Sequence, residues 1–373
     1  MKQAVIASVA FVVTLGAASS VLAQSLEQQW TYCNAAVGQY PDEVEIGGCT
    51  AIIQSGQVDP QNMAIAYFNR GITYADGPRD FVRAIADFTS AIQLNPQFAD
   101  AYARRGAAYR DGQQDYARAL ADLDQAIRMD GSDALHFLAR GNVYWYGLND
   151  HVRAIADFDR SIQLNPQGAS AYAQRGDAYQ YGLSDYQRAI ADYDRAIQLE
   201  PTLWSAFFER GHAHHWGAND YVRAIADYDQ AIRLSPQSWQ PYAGRADSYQ
   251  ASGDAVRAIA DFDTALRLNP NNANAYRNRG LARQTTRDYA GAIADADQAE
   301  RLAPQDWGPP SDRADAHLAL GNYQQAITDY TRSIALDPSQ AWNFSHRAQA
   351  YEALGDTARA EADRREAARL GSR

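Results

Sequence analysis

The feature that most constrains the fold of this chain is a block of sequence that recurs nine times at nearly constant spacing. Each copy has an Arg-Gly or Arg-Ala pair, which is followed by an Ala-x-Ala-Asp block or a close variant of it. The arginines are Arg70, Arg105, Arg140, Arg175, Arg210, Arg245, Arg279, Arg313 and Arg347, spaced by 35 residues at first and by 34 later. Self-similarity at such a period predicts a linear array of small units, each stacked on its neighbours in the chain.

Each copy predicts two short helices. In the fourth copy, Tyr172, Gly176 and Tyr179 lie three to four residues apart, which gives one helix an apolar stripe, and a second stripe begins at Ala189. Between the helices we expect an N-cap, because a short polar side chain there accepts hydrogen bonds from the free amides of the second helix. These caps are Asp80, Asp115, Asp150, Asp185, Asp220, Asp254, Asp288, Asn322 and Asp356.

The order of aromatic, glycine, alanine and proline positions resembles the tetratricopeptide repeat, a helix-turn-helix unit of about 34 residues. The fifth copy has this series as Phe207, Gly211, Ala224, Tyr228, Ala231 and Pro236. The resemblance covers residues 63–373 as nine units, of 35 residues up to about residue 240 and of 34 residues after it. It implies an all-α fold, a right-handed α-solenoid of stacked helix-turn-helix units.

One departure from the family pattern is an acid-base pair in every copy. Arginine stands where the family has leucine, and an aspartate follows it by 16 or 17 residues. We interpret these pairs as a structural ladder of ion pairs between the two helices of each unit, in preference to a binding role. The aspartates are Asp87, Asp122, Asp157, Asp192, Asp227, Asp261, Asp295, Asp329 and Asp363.

The other departure is an extra residue in each of the first five copies. A glycine follows the predicted first helix in all five, at Gly77, Gly112, Gly147, Gly182 and Gly217. Glycine readily adopts the left-handed backbone conformation that often ends a helix. We therefore predict that these glycines are the left-handed residues of the turns.

The first 23 residues have the layout of a secretory signal peptide. Lys2 precedes an apolar run, and small residues lie before a predicted cleavage site at Gln24. An uncleaved membrane anchor is the alternative, since about 20 apolar residues can span a bilayer. The layout predicts an exported bacterial protein, periplasmic or secreted, with no membrane insertion of the mature chain.

The two cysteines lie close to the predicted mature N-terminus. Residues 24–62 resemble a degenerate repeat that caps the array, in which Cys33 and Cys49 would face each other across a hairpin. In an exported protein such a pair is expected to form a disulfide. Two buried free thiols are the alternative.

Charge and motifs exclude several function classes. The net charge is -11, Lys2 is the only lysine, and there is no basic run, so a nucleic-acid partner is not expected. The sequence has no GxSxG, HExxH, CxxC or Walker-type loop. Because the repeats and caps also leave no second domain for an active site, we expect neither an enzyme nor a cofactor.

Binding residues are expected where the repeat does not fix the residue type. The family resemblance implies that the first helices line a concave groove, and copies three to five place large aromatic side chains there. The predicted groove residues are Leu138, Asn142, Trp145, Tyr146, Asp177, Gln180, Tyr181, Phe208, His212, His215, Trp216 and Asp247. The resemblance thus implies a non-catalytic scaffold that binds a protein or peptide. A periplasmic protein that binds a glycan or small ligand through the aromatic side chains is the alternative, and the rings could also pack between units.

Three histidines lie within four residues of the fifth copy. His214 takes the place of a tyrosine that most other copies have, which predicts a core position, and it cannot share one helical face with His212. No metal site is therefore expected. We expect His212 to lie in an ordinary solvated groove between Asp177 and Asp247 of the neighbouring copies. The two carboxylates would favour its protonated form, and a metal site that they complete with His215 is the alternative.

Overall fold

The computed structural model describes residues 17–36 and 38–371, which divide between Asp185 and Tyr186 into two compact units. The described residues form helices and turns without β-strands, so the expected all-α solenoid of helical hairpins is confirmed. Most of the predicted signal peptide, residues 1–16, lies outside the described part of the chain. Among the described helices, none is both long and apolar enough to cross a membrane.

In the first unit, consecutive helices pack against each other as hairpins. The helices are α1 (Ala17–Cys33), α2 (Asp42–Ser55), α3 (Pro60–Asp76), α4 (Phe81–Leu94), α5 (Ala99–Ala108), α6 (Tyr116–Met129), α7 (Ala134–Asn142), α8 (His151–Leu164) and α9 (Ala169–Asp177). The helices α5, α7 and α9 each continue into a π-helical turn, at Tyr109–Gln113, Val143–Gly147 and Ala178–Gly182.

The second unit has the same hairpin arrangement. Its helices are α10 (Tyr186–Leu199), α11 (Trp204–Ala218), α12 (Tyr221–Leu234), α13 (Trp239–Ala251), α14 (Ala255–Leu268), α15 (Ala273–Thr285), α16 (Tyr289–Leu302), α17 (Gly308–Ala319), α18 (Tyr323–Leu336), α19 (Ala341–Ala353) and α20 (Thr357–Gly371).

The core of most repeats is built from alanines around one large aromatic ring. In the third repeat, Ala154 and Phe158 of α8 are fully buried. A Cβ atom added at Gly141 of α7 would lie 2.6 Å from the Phe158 ring, closer than such atoms approach in proteins. Glycine at this position therefore lets the two helices of a repeat approach closely over the ring.

The predicted N-caps are present in both units. Asp150 Oδ1 accepts a hydrogen bond from the Arg153 amide at 2.9 Å, and Asp150 Oδ2 accepts one from Arg153 Nε at 2.7 Å. The same guanidinium lies 4.5 Å from the centre of the Tyr144 ring, so one arginine ties the cap to the preceding helix. The amide-to-carboxylate bond recurs at Asp80, Asp115, Asp220, Asp254, Asp288 and Asp356. Asn322 lies at the cap position of α18, but its side chain makes no capping hydrogen bond.

The turn between the helices closes differently in the longer and the shorter repeats. In the longer repeats the cap amide donates to a carbonyl six residues earlier, as from Asp150 to Tyr144 at 2.9 Å. In the shorter repeats the bond spans five residues, as from Asp254 to Tyr249 at 2.8 Å. The turn therefore absorbs the extra residue, and the second helix still begins at its cap.

The prediction that the turn glycines of the longer repeats are left-handed is wrong. The left-handed residues lie two positions later, at Arg79, Gln114, Asn149, Ser184 and Asn219, with φ between 51° and 56°. The glycines instead allow close packing between repeats, because a Cβ atom at Gly147 would lie 2.5 Å from the ring of Tyr116, the first residue of α6. In three of the shorter repeats the left-handed residue is a glycine, at Gly253, Gly321 and Gly355.

The predicted ion-pair ladder is present, and it also connects successive repeats. Arg140 donates two hydrogen bonds to Asp157, from Nε at 2.8 Å and from Nη2 at 2.7 Å. Its Nη1 donates at 2.7 Å to Asp124, on the second helix of the preceding repeat. The Arg-Asp pair recurs at Arg70, Arg105, Arg210, Arg245, Arg279, Arg313 and Arg347. Each of these arginines also donates to a threonine or an aspartate of the repeat before it.

The N-terminal hairpin is joined by the two cysteines. The Sγ atoms of Cys33 on α1 and Cys49 on α2 lie 2.13 Å apart, at disulfide distance, and both residues are buried. They pack with Trp30 and Ile52 in a small apolar cluster that includes Ile65 of α3. The hairpin thus covers the end of the first full repeat.

Candidate functional site

The first unit has a cavity between the first helices of three successive repeats. Its volume is about 270 Å³, and α3, α5 and α7 line it. The apolar part of its wall includes Phe68, Ile72, Leu135 and Leu138. The residues that line the cavity lie at positions where the repeats differ in residue type. The shape and polarity of the cavity therefore depend on residues that the repeat does not fix.

Two of the predicted groove residues, Leu138 and Asn142, line this cavity. The side-chain oxygen of Asn142 is buried and accepts no hydrogen bond from the described residues. A buried acceptor without a partner is unfavourable, so this oxygen lowers the stability of the fold at this position.

Arg110 joins the cavity to a second depression in the same unit. It lines both, and the second depression is also lined by Gln114, Tyr116 and Tyr146. Arg110 forms two hydrogen bonds with Asp111, at 2.6 and 2.8 Å. This ion pair holds the guanidinium at the junction of the two depressions.

The predicted aromatic residues divide into exposed and half-buried rings. Tyr146, Tyr181 and Trp216 are 61%, 51% and 58% exposed, and each lies directly before the turn glycine of its repeat. Trp145 instead packs with Leu138 in the core around Phe158. Tyr146 lies one residue after Trp145. Successive side chains on a helix differ in direction by about 100°, so Tyr146 faces solvent while Trp145 faces the core.

Gln180, His215 and Phe208 are also placed differently from the expectation of an exposed groove. Gln180 and His215 are buried, at the same register as Trp145. Phe208 is half-buried, and its ring centre lies 5.8 Å from that of Tyr228 in the core of its own repeat. These three side chains therefore contribute mainly to packing.

Asp177 is half-buried in the first unit, whereas Asp247 is half-buried in the second. Burial raises the pKa of Asp247 to about 6, although a hydrogen bond from Asn278 at 2.9 Å acts in the opposite direction. A carboxyl group in this state takes up a proton in mildly acidic solution.

The protonated form of His212 is not favoured. Burial, together with the nearby His215, lowers the pKa of His212 to about 4, so its neutral form predominates at pH 7. His214 is buried, as predicted from the tyrosine that it replaces, and its Nε2 lies 3.8 Å from Asp227. His215 Nδ1 lies 2.8 Å from the Ser248 hydroxyl. The histidine cluster therefore belongs to the helix packing of the second unit.

The sequence interpretation missed a cluster of three side chains at the rim of the cavity. His136 is 2% exposed, and its Nε2 lies 3.3 Å from Asp100 Oδ1 and 3.8 Å from Asp133 Oδ2. Burial alone would lower the pKa of His136, but hydrogen bonds to Asp100 and to the Asp130 carbonyl outweigh it and raise the pKa. A signal was available, because five other copies have alanine at the position of His136.

One exposed aromatic residue was also missed. Trp342, near the start of α19, is 56% exposed and stacks on His346 with ring centres 3.7 Å apart. It lies on the first helix of the ninth copy, outside copies three to five, in which the prediction sought exposed rings.

Known protein families match most of the repeats. The model described as "Tetratricopeptide repeat" matches residues 109–169 and 174–238. The model described as "TPR repeat" matches residues 246–286 and 314–355. Together these matches cover more than half of the chain. No curated protein is a significant match to the sequence.

Solved structures share the fold at low sequence identity. A chain in the structure of the Cut9–Hcn1 hetero-tetramer from APC/C is 17% identical to this chain, with a TM-score of 0.56. The match covers 90% of this chain and 65% of that one. A tetratricopeptide repeat protein from Parabacteroides merdae is 22% identical with a TM-score of 0.50, over 65% and 94% of the two chains. PilW, a type IV pilus biogenesis factor, is 19% identical with a TM-score of 0.52, over 56% and 94%. The repeats, their helical hairpins and these matches together show that the chain belongs to the tetratricopeptide repeat family.

Proposed function

We propose that the chain is a non-catalytic scaffold that binds a segment of a protein partner along the first helices of its repeats. The observation that carries this proposal is the cavity between α3, α5 and α7, in which an apolar wall lies beside polar and charged side chains. A partner segment offers complements to both, an apolar side chain for the wall and backbone or side-chain polar groups for the charged residues.

The surface next to the cavity supports an extended partner. Arg110 links the cavity to the depression that contains Tyr146, and this ring is largely exposed. Large, rigid aromatic side chains contribute contact area at little cost in conformational entropy, which is why they often anchor interfaces. The segment would therefore place one side chain in the cavity and continue across Arg110 to Tyr146.

An exported location fits this function. The signal-like N-terminal sequence and the Cys33–Cys49 pair at disulfide distance both support a periplasmic or secreted protein. The partner would then be another exported or envelope protein. Neither nucleic acid nor insertion of the mature chain into a membrane is part of the proposal.

The test begins with a photo-crosslinking residue at Tyr146 in living cells, and a second chain carries the probe at Val82 as a control. Val82 is 71% exposed on α4 and does not line the cavity. A protein captured from Tyr146 and not from Val82 is then purified for affinity measurements.

The affinities of Leu138→Glu and Val82→Glu for this protein decide the proposal. A charge placed in the cavity should weaken binding by about tenfold or more, because an unpaired carboxylate would be desolvated on binding. The Val82→Glu chain should bind as the wild type does. Equal binding by the wild type and the Leu138→Glu chain would reject the cavity as the binding site.

A further inference from the structure

The inference starts from a residue that breaks the repeat. At the position of His136, the repeats have alanine at Ala66, Ala101, Ala171, Ala206 and Ala275, and all five are buried. The third repeat therefore has an imidazole at a position where five other repeats have a small apolar side chain. The substitution is not needed for helix packing, which the other repeats achieve without it.

The environment of His136 orients both ring nitrogens. Its Nδ1 lies 3.2 Å from the carbonyl oxygen of Asp130, and a carbonyl can only accept a hydrogen bond. Nδ1 therefore donates, and Nε2 faces the carboxylates of Asp100 and Asp133. A positive charge between these carboxylates and the ring is favourable, and either a proton on Nε2 or a metal ion in its place can supply it. A backbone acceptor on the second ring nitrogen is also the usual support of a metal-binding histidine.

The distances suit a small metal ion. His136, Asp100 and Asp133 each offer one ligand atom, and these three atoms lie within 4.8 Å of one another. Around tetrahedral zinc, whose bonds to nitrogen and oxygen are about 2.0–2.2 Å, neighbouring ligand atoms lie about 3.3–3.6 Å apart. The separations of 3.3 and 3.8 Å from Nε2 are already close to this range. The Asp100 side chain is 43% exposed, so it has room to rotate inward.

Metal binding would leave the helix caps intact. Asp133 Oδ1 accepts the amide hydrogen bond of Leu135 at 2.8 Å, while Oδ2 faces the histidine. One carboxylate can thus cap α7 and bind a metal at the same time. Asp100, Asp133 and His136 all line the cavity, so a further ligand could reach a bound ion from the cavity side.

We propose that Asp100, Asp133 and His136 bind one divalent transition-metal ion of the zinc class, with a coordination position open to the cavity. An imidazole with two carboxylates favours this class, whereas calcium and magnesium prefer sites made of oxygen ligands alone. The inference goes beyond the proposed function and does not depend on it, because the chain would bind the ion without any partner.

The experiment measures zinc binding to the full chain, purified without a histidine tag and treated with a chelator, by isothermal titration calorimetry. The wild type should bind one zinc ion more than the His136→Ala chain does. This variant carries the residue that five other repeats have, so it should fold, and circular dichroism checks that it does. Cobalt provides a second readout, because a tetrahedral site absorbs visible light.

Two carboxylate variants and one histidine variant sharpen the test. Asp100→Asn and Asp133→Asn should each weaken zinc binding by about tenfold or more, since even an outer-shell change costs about 10–100-fold. Asparagine caps a helix about as well as aspartate, so Asp133→Asn retains α7. His214→Tyr is the matched control, because it removes a buried histidine elsewhere and restores the residue of other repeats; its zinc binding should equal that of the wild type.

Two results of the zinc titration would overturn the proposed metal site. The first is an equal zinc stoichiometry in the wild type and the His136→Ala chain. An absence of zinc binding to the wild type would also overturn it, and would leave the cluster as an ion pair of protonated His136 with the two carboxylates. Calcium binding that matches zinc binding and survives His136→Ala would show only a general acidic surface.

Discussion

At the scale of single residues, burial governs the three histidines of α11 in the second unit. His212, His214 and His215 lie on one helix, and burial lowers the pKa of all three. The neutral imidazoles pack between helices, and charging them would require desolvation of the ion. The stretch that seems most suited to metal binding in the sequence is therefore part of the packed helices.

This burial predicts a pH-dependent loss of stability. The folded state holds the pKa of His212 at about 4, whereas an unfolded histidine has a pKa of about 6.5. Above pH 6.5 the residue is neutral in both states, so it contributes no difference. As the pH falls from 6.5 to 4, only the unfolded state gains the proton, and the free energy of unfolding decreases.

The test compares the wild type with His212→Gln in urea titrations at pH 7.5 and pH 4.5. Between pH 7.5 and pH 4.5, the free energy of unfolding of the wild type should decrease by about 2 kcal/mol more than that of the variant. Each pKa unit corresponds to about 1.4 kcal/mol. Carboxylates that titrate in this range affect both chains alike, so the difference between the chains isolates His212. An equal decrease in the free energy of unfolding of the two chains would contradict the burial of His212.

The sequence predicted which helices carry the variable side chains better than it predicted the exposure of those side chains. The register placed Leu138, Asn142 and Tyr146 in the first helical segment of the third copy, because the repeat fixes the order of its helices. It did not separate Trp145 from Tyr146, since one step along a helix changes the direction of the side chain by about 100°. The residue facing solvent depends on how the next repeat packs, which a periodic pattern does not contain.

At the scale of elements, the turns of the longer repeats carry the main difference from the sequence prediction. A glycine after a helix usually indicates a left-handed residue, but here non-glycine residues such as Asn149 have the left-handed backbone. The glycine two positions earlier packs against a residue of the preceding repeat, the first residue of its second helix. Single-residue propensity could not reveal this, because the contact joins two repeats.

This role predicts opposite outcomes for two substitutions in one turn. Gly147→Ala should destabilise the chain by about 1–3 kcal/mol, because the added Cβ overlaps the Tyr116 ring. Asn149→Gly should change stability by less than about 1 kcal/mol, since glycine relieves the left-handed backbone but gains freedom in the unfolded chain. Urea titration measures both.

The double variant Gly147→Ala with Tyr116→Ala identifies the cause. Removing the ring should make Gly147→Ala nearly neutral when compared in the Tyr116→Ala background, because the overlapping atoms are gone. If Gly147→Ala is equally costly in both backgrounds, backbone conformation is the cause and the packing explanation fails.

At the scale of the whole molecule, the repeats are connected through their neighbours. Within each unit, ladder arginines bind an aspartate of their own repeat and an acceptor on the preceding one, as Arg140 does with Asp157 and Asp124. Such an array gains stability as a sum of repeat and interface contributions, and its terminal repeat has a neighbour on one side only. The Cys33–Cys49 pair joins the helices of the hairpin at that end.

Reduction of this pair should therefore have a local effect. In the chain-entropy account, a cross-link that closes a loop of about 15 residues contributes about 3 kcal/mol. Hydrogen exchange followed by mass spectrometry should show faster exchange in α1, α2 and α3 after reduction, because these helices share the cluster around the disulfide. The helices of the second unit should exchange at unchanged rates, because α1 to α3 lie several repeats away along the chain.

The Cys33→Ala, Cys49→Ala chain separates the disulfide from other effects of the reductant. Without reductant it should reproduce the exchange pattern of the reduced wild type, and addition of reductant should not change it further. Faster exchange throughout both units would show that the hairpin controls the folding of the entire array. The neighbour-limited coupling that the ladder implies would then be wrong, and the array would have to unfold as one cooperative unit from its N-terminal end.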